Sequence, residues 1–279
     1  MGATVLALLA DGPRLVDPGT PVVRADDLGL ARGESVFETL RVARQRPAFL
    51  SLHLERLARS AARVAVDLPG GWAELARFAV DAYGADDGVL RLTCTKGAPG
   101  SAPVGLALVT PVPAATIRGR EHGVSVVTLQ LGVPAELRAD APWLLGGVKS
   151  TSYAVNMASL RAAEDQGAQD AIWISSDGVV LEAPTSTVVW VERGRLVTPP
   201  AELVGTLPGT TASVALGLAP VPVETRLGTI DELRRADEVM LLSSVRGVAP
   251  VTRLDGVELD VGPVTKALRD AFERAVLDG

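Results

Sequence analysis

Apolar and polar positions along the first hundred residues repeat with two different periods, and the switch between them divides the chain into strands and helices. Alternation with a period of two, or a short apolar run bounded by turn residues, predicts strands at TVLALLA (4–10), SVFETLRVA (35–43), PAFL (47–50), GVLRLTCT (88–95) and VGLALVTP (104–111). A period near the helical repeat predicts helices at SLHLERLARSAARVAV (51–66), with Ser51 as its cap, and at GWAELARFAVDAYG (71–84). Strands followed by helices and more strands make an α+β pattern. The stretch TPVPAATIRGREHG then shows three punctuating residues, Pro111, Pro113 and Gly119, and little periodicity. It reads as an interdomain linker over 113–122, between a smaller N-terminal domain (1–112) and a larger C-terminal one (123–279). The second part opens with a strand at VSVVTLQL (124–131) and a helix at SYAVNMASLRAAEDQG (152–167). A hairpin of DAIWISS and VVLEA follows, turned on Asp177-Gly178. Further strands and short helices lead to an amphipathic terminal helix, PVTKALRDAFERAV (263–276), and no internal repeat is visible.

Length agrees with two domains, since 279 residues is long for a single core. A 47% hydrophobic and 22% charged composition without low-complexity segments is that of a globular protein. The net charge of −6, with arginines scattered rather than clustered, leaves no electrostatic footprint for nucleic acid or an anionic membrane and favours a small-molecule partner. Cys94 stands alone and cannot form an internal disulfide, and with only His53 and His122 beside it there is no metal-binding cluster. Cytoplasm is the expected compartment. The N-terminal stretch MGATVLALLADGPRL lacks the basic start of a secretory signal, Leu6 stands where a myristoylation motif needs Ser or Thr, and no apolar run is long enough to span a bilayer.

Lysine is rare: of 27 basic residues only Lys96, Lys149 and Lys266 are lysines. Lys266 falls on the outer side of the terminal helix. Lys149, in WLLGGVKSTSYAVN, has no such explanation. Four other features are weak singly. Glu182 ends the strand GVVLEAPTSTVVWV and alone reads as a capping or surface carboxylate. Arg56 alone reads as one of several solvent-facing helix arginines with Arg59 and Arg63. Gly209, Thr210 and Thr211, in LPGTTASVAL, sit at an apparent helix start, where amides and the helix dipole favour an anion. His53 and His122 read as isolated, and a Cys94 nucleophile paired with histidine is weaker still.

Together these pieces form an ordered set: GESVFETLRV, HLERLARSA, VKSTSYAVN, DGVVLEAPTSTVVWV, LPGTTASV and DEVMLLSSVRGVAPV. Over nearly the whole chain the set resembles the fold-type IV pyridoxal phosphate enzymes, which include branched-chain and D-amino acid aminotransferases and aminodeoxychorismate lyases. The resemblance implies a two-domain mixed α/β fold, D-amino acid aminotransferase-like, a homodimer, and pyridoxal 5'-phosphate (PLP) as cofactor. It implies that Lys149 holds the cofactor as a Schiff base and shuttles protons, and that Glu182 faces the pyridine nitrogen. It implies a phosphate-holding set of Arg56, Gly209, Thr210, Thr211 and Ser244, with Tyr153 near the ring oxygen.

The resemblance also ranks the reactions. D-amino acid aminotransferases grip the substrate carboxylate with an Arg and a His just after a Thr-Arg-Gly motif; here TCTKGAPGSAPVG has Lys96 in the first arginine's place and neither later residue. LLSSVRGVAPV looks closest to the lyase branch, which implies conversion of 4-amino-4-deoxychorismate to 4-aminobenzoate and pyruvate, a step towards folate. The alternatives are a branched-chain or D-amino acid aminotransferase of the same fold, likewise acting on a small-molecule amine, and a PLP-binding protein without turnover. Arg32, in ARGES, stands where an aromatic residue is common in the family and reads as a surface arginine or an anion contact.

Overall fold

The computed structural model describes residues 4–9 and 11–278. Residues 1–3, which open the N-terminal stretch read above, and Ala10, the last position of the first expected strand, lie outside the described residues. The chain forms two compact units: residues 1–113 with 148–153 and 276–279, and residues 114–147 with 154–275.

In the first unit the chain runs β1 (Val5–Leu9), β2 (Pro13–Val16), α1 (Leu28–Arg32), β3 (Ser35–Ala43), β4 (Arg46–Pro47), α2 (Leu50–Arg63), α3 (Trp72–Tyr83), β5 (Asp87–Thr95) and β6 (Val104–Thr110). The six strands form one antiparallel sheet in the order β2-β1-β6-β5-β3-β4. Alternation fixes which face is buried: Leu90, Leu92 and Cys94 of β5 and Ala107 and Val109 of β6 point inwards, against Leu57 of α2 and Leu75, Ala76, Ala79 and Val80 of α3. PAFL does not extend as a strand, because β4 stops at Pro47 and Phe49 turns left-handed (φ 52) to start α2. Helix α2 therefore begins before Ser51, and no side chain caps it.

The second unit comprises α4 (Ala114–His122), β7 (Val124–Gln130), α5 (Leu137–Asp140), α6 (Ala154–Asp165), β8 (Asp170–Ile174), β9 (Thr187–Glu192), β10 (Arg195–Thr198), α7 (Ala201–Val204), α8 (Thr210–Gly217), β11 (Val223–Thr225), α9 (Ile230–Arg234), β12 (Glu238–Ser243), β13 (Gly247–Leu254), β14 (Val257–Glu258) and most of α10 (Pro263–Asp278). Its sheet is mixed, in the order β11-β10-β9-β12-β13-β7-β8 with β14 on β13, and only β13-β7, β7-β8 and β10-β11 are parallel. Asp177-Gly178 turns the chain after β8, with Gly178 at φ 81. Across that turn Trp173 N donates to Glu182 O, and Trp173 O accepts from Leu181 N. Among the described residues no helix is long and apolar enough to cross a membrane.

Two boundaries differ from the sequence expectation. Residues 114–122 are not a linker but α4, which packs on β13 within the second unit. Its one buried residue is Gly119, where a Cβ would lie 3.2 Å from both Arg246 Cδ and Val124 Cγ1, so the glycine read as a helix breaker is a close-packing position that leaves no apolar stripe to detect. Residues 148–153, which hold Lys149, group with the first unit and not with the C-terminal part.

The β3-β4 hairpin turns on Arg44 (φ 49) and Gln45 (φ 58), both left-handed, where Asn-Gly is the usual solution for such a pair. Each non-glycine residue held there costs roughly 1 kcal/mol. Gln45→Gly is expected to stabilise the first unit by about 0.5 to 1 kcal/mol, despite losing the exposed Gln45–Asp86 hydrogen bond. Urea unfolding followed by circular dichroism measures it, and an unchanged or lower midpoint contradicts the reading.

Candidate active site

Lys149 owes its position to an unfilled sheet edge. Strand β4 pairs only with Val42 and Ala43, at the far end of β3, so the first residues of β3 have an open side. The Lys149 segment occupies it: Phe37 N donates to Lys149 O, Thr151 N donates to Ser35 O, and Val36 bridges Ser150 in antiparallel fashion. Lys149 N donates to Ser60 Oγ on α2 at 3.1 Å, and the Ser35 and Thr151 hydroxyls are hydrogen-bonded to each other. The backbone around the lysine is thus tied to a strand on one side and a helix on the other.

Its side chain is half-buried. Nζ lies 3.1 Å from the Tyr153 hydroxyl and 4.4 Å from the centre of the Phe37 ring, and the Phe37 and Tyr153 rings meet edge to face at 5.0 Å. The guanidinium of Arg91, from β5, lies 3.9 Å from the Phe37 ring centre. Arg91 is half-buried, burial pulls its pKa below the ordinary value, and its guanidinium forms no hydrogen bond or ion pair with any described residue. Two cations therefore share one aromatic ring.

Beneath this lies a cluster that the sequence reading missed. Val36, Glu38, Leu40 and Val42 share the inward face of β3, and Glu38 is the one charged residue among them. On α2, His53, Arg56, Leu57 and Ser60 form the inward stripe at helical spacing. Arg56 is 4% exposed and grips Glu38 with two parallel bonds, Nε to Oε1 at 2.8 Å and Nη2 to Oε2 at 2.7 Å. His53 Nδ1 lies 2.6 Å from Glu38 Oε2. The reading of Arg56 as a solvent-facing neighbour of Arg59 and Arg63 is overturned, since those two are exposed and Arg56 is not; His53 is not isolated either. The signal available was a set of polar residues on faces that periodicity assigns to the core.

In the second unit, Glu182 is 12% exposed and each carboxylate oxygen is engaged: Oε1 accepts from Arg138 Nη1 at 3.1 Å and Oε2 from Leu207 N at 3.0 Å. Gly209 is the N-cap of α8 and no side chain caps that helix; a Cβ on Gly209 would collide with Thr187 Oγ1. Thr210 and Thr211 are buried in its first turn. Ser244 follows β12 in the turn to β13, braced from behind by Arg120 Nη2 to Val245 O at 2.6 Å and Arg246 Nη2 to Asp170 Oδ2 at 2.7 Å. The structure thus brings Lys149, Tyr153 and Arg56 into the first unit and Glu182, Gly209, Thr210, Thr211 and Ser244 into the second. His122 and Arg32 are exposed, and buried Cys94 has its thiol pushed up to about 12, which removes it as a nucleophile. Among the described residues no cluster could hold a metal.

The Glu38 cluster generates a pH dependence. Burial alone would raise the Glu38 carboxyl, but hydrogen bonds from Arg56 and His53 outweigh it and lower the pKa to about 2. For His53, burial lowers the pKa, Glu38 opposes, and the charges of Arg56 and Lys149 add to the lowering. Both folded values lie below the unfolded ones, so the native state holds fewer protons and acid destabilises it. Stability is expected to fall first as pH drops below about 6.5, where the unfolded imidazole protonates, and again from about 4.5 towards 2 as Glu38's share, on the order of 3 kcal/mol, is lost. Urea midpoints measured across pH test this; Glu38→Gln should cost about 3 kcal/mol at neutral pH by removing the carboxylate that the buried Arg56 guanidinium grips and should flatten the lower limb. A variant as acid-sensitive as the parent below about pH 4.5 contradicts the assignment.

Comparison with known proteins gives the family. The profile of the family described as amino-transferase class IV matches residues 35–254, from the start of β3 to the end of β13. The bifunctional aminodeoxychorismate lyase / D-amino acid transaminase of Mycobacterium tuberculosis is 38% identical, over 98% of this chain and 99% of that protein. The D-alanine aminotransferase of Bacillus licheniformis is 31% identical over 95% of each chain. Among solved structures, the PLP-bound form of a hypothetical aminotransferase from Mycobacterium tuberculosis superposes with a TM-score of 0.93 at 37% identity, covering 98% of this chain and 99% of that one. A family match that runs from residue 35 to residue 254, through both units, with a relative 38% identical over nearly the whole length, makes the chain a member of the class IV aminotransferase family.

Proposed function

We propose that the protein is a PLP-dependent lyase that converts 4-amino-4-deoxychorismate to 4-aminobenzoate and pyruvate. The observation that carries this reading is the Lys149 amine, held at Tyr153 and Phe37 beside the half-buried Arg91, in a chain similar from end to end to a bifunctional aminodeoxychorismate lyase. The donor set fits the cofactor. A half-buried primary amine suits covalent attachment, and a carboxylate already holding two donors suits a protonated ring nitrogen. An uncapped helix start whose N-cap has no room for a Cβ suits a phosphate. In this reading Lys149 carries the cofactor, Tyr153 neighbours its ring oxygen, Glu182 faces the pyridine nitrogen, and Gly209, Thr210, Thr211 and Ser244 hold the phosphate with Arg56. Two of the three nitrogens of Arg56 are committed to Glu38, so its contribution to the phosphate is chiefly the positive field of a fixed guanidinium.

When bound, PLP supplies an electron sink for the pair left behind at a substrate carbon. The chain's own residues move the protons. Lys149 Nζ, kept in reach by the Tyr153 hydroxyl, takes the proton from the amine-bearing ring carbon of the substrate. As that C–H bond breaks, the C–O bond to the enolpyruvyl group breaks, the ring becomes aromatic, and the departing enolate takes up a proton on carbon to become pyruvate. No water or oxidant is consumed. Arg91 is the assigned partner of a substrate carboxylate, because a half-buried guanidinium without an anion among the described residues gains most from one.

Transamination of a D-amino acid is the second reading, favoured by the names of the relatives. One contact disfavours it as the main activity: Lys96, in the place of the aminotransferase arginine, is ion-paired with Glu34. The exposed Trp143, Leu144, Leu137 and Leu203 are in keeping with a homodimer, and the lone buried cysteine with the cytoplasm.

Purified protein incubated with 4-amino-4-deoxychorismate alone is expected to release 4-aminobenzoate and pyruvate in equal amounts, read by chromatography. Exclusive conversion of D-alanine with a keto acid would replace the lyase reading by the second. Borohydride reduction of the PLP-loaded protein should fix the cofactor to the Lys149 peptide, and label on Lys96 or Lys266 would refute the site. Arg91→Met is expected to raise KM at least about tenfold with PLP affinity unchanged, as loss of one charge-assisted contact predicts.

A further inference from the structure

We infer that Arg138 is a positioning residue for Glu182, holding the carboxylate ionised and aimed so that the proton of a bound PLP stays on its pyridine nitrogen. The inference rests on the PLP reading above and assigns a role to a residue eleven positions before Lys149 that no motif marks.

Three observations support it. The contact is sheltered: Arg138 and Glu182 side chains are 18% and 12% exposed, so their 3.1 Å pair escapes most of the solvent screening that empties surface ion pairs of energy. The arginine's backbone is clamped between two glycines. A Cβ on Gly146 would collide with the Arg138 carbonyl oxygen, and one on Gly205, which is also left-handed (φ 59), would lie 2.5 Å from the Arg138 carbonyl carbon and 2.6 Å from Ala139 N. Helix α5, which carries Arg138, accordingly packs against α7. Finally, the guanidinium lies 5.7 Å from the ring centre of Trp173, a 4%-exposed residue whose indole Nε1 donates to Ser159 Oγ of α6 at 2.9 Å.

These contacts set the geometry of Glu182 from both ends. Arg138 holds Oε1, while Leu207 N, two residues after Gly205, holds Oε2. The same glycine that admits the Arg138 backbone thus leads into the segment that fixes the other oxygen and, past Pro208, into the start of α8. The field of the guanidinium favours the charged carboxylate and weakens its pull on a proton. A carboxylate so held leaves the shared proton on the ring nitrogen; without Arg138 the proton shifts towards Glu182. A merely structural ion pair would change unfolding and nothing else.

The test uses the full-length protein and PLP itself. The visible band of the bound cofactor is titrated with pH in the parent, Arg138→Lys and Arg138→Gln, alongside PLP dissociation constants and urea midpoints of the PLP-free proteins. For Arg138→Gln we expect the midpoint of the spectral titration to move by about one pH unit and PLP affinity to fall about tenfold, with Arg138→Lys restoring most of both. Spectral midpoints and PLP affinities equal to the parent's in both variants would overturn the inference, whatever happens to the urea midpoints. If Arg138→Gln does not fold, Arg138→Lys decides: a lysine is a point charge without the second fork nitrogen, and it should still keep the parent's spectral midpoint to within about 0.3 units, whereas a larger shift overturns the charge argument. Failure of the parent to take up PLP would instead sink the underlying reading and the inference with it.

Discussion

An open strand edge governs the placement of Lys149. Strand β3 is nine residues long but β4 covers only its last two, and buried backbone N–H and C=O groups left without partners would each cost about 1 to 3 kcal/mol. Residues 149–151 satisfy Phe37 N and Ser35 O and are themselves fixed by doing so. The lysine is therefore placed by backbone pairing, which specifies register, and its amine inherits the neighbours that register dictates: Phe37 and Tyr153.

The same strand turns Glu38 inwards, and the helix above answers with Arg56 and His53. A buried carboxylate next to a bidentate arginine is close to neutral in net stability, yet breaking it is costly, so the pair acts more as a specification of how α2 sits on β3 than as a source of stability. Since Ser60, one turn beyond Arg56, receives the Lys149 amide, the seating of α2 passes directly to the lysine segment.

Much of this was readable from sequence, for physical reasons that differ by residue. The main strands and helices of the first unit declared themselves through periodicity because each has one buried face. Helix α4 did not, because its buried residue is a glycine. Ser51 failed as a cap because the left-handed Phe49 starts the helix earlier. Lys149 stood out by scarcity, and Glu182, Arg56 and the α8 start by their place in an ordered set. Glu38, His53, Arg91 and Arg138 were missed because each acquires its meaning from a partner far off in sequence or from a ring beside it. Arg138, for example, meets Glu182 across 44 positions, and no local window holds both. Even so, a charged residue on the inward face of β3, and an arginine and a histidine on the inward stripe of α2, were visible contradictions of the pattern, and such contradictions are where long-range pairing should be sought.

The return of residues 148–153 to the first unit bears on how the chain matures. On a ribosome, β1 to β6 are all synthesised before the segment that closes the edge of β3, so a nascent first unit must wait with that edge exposed while some forty more residues, by count from the end of β6, are added. An open edge is a template for pairing with the wrong strand. Vectorial synthesis thus makes the arrival of the lysine segment both the step that completes the sheet and the step that ends its exposure to mispairing, which ties escape from aggregation to the placement of Lys149.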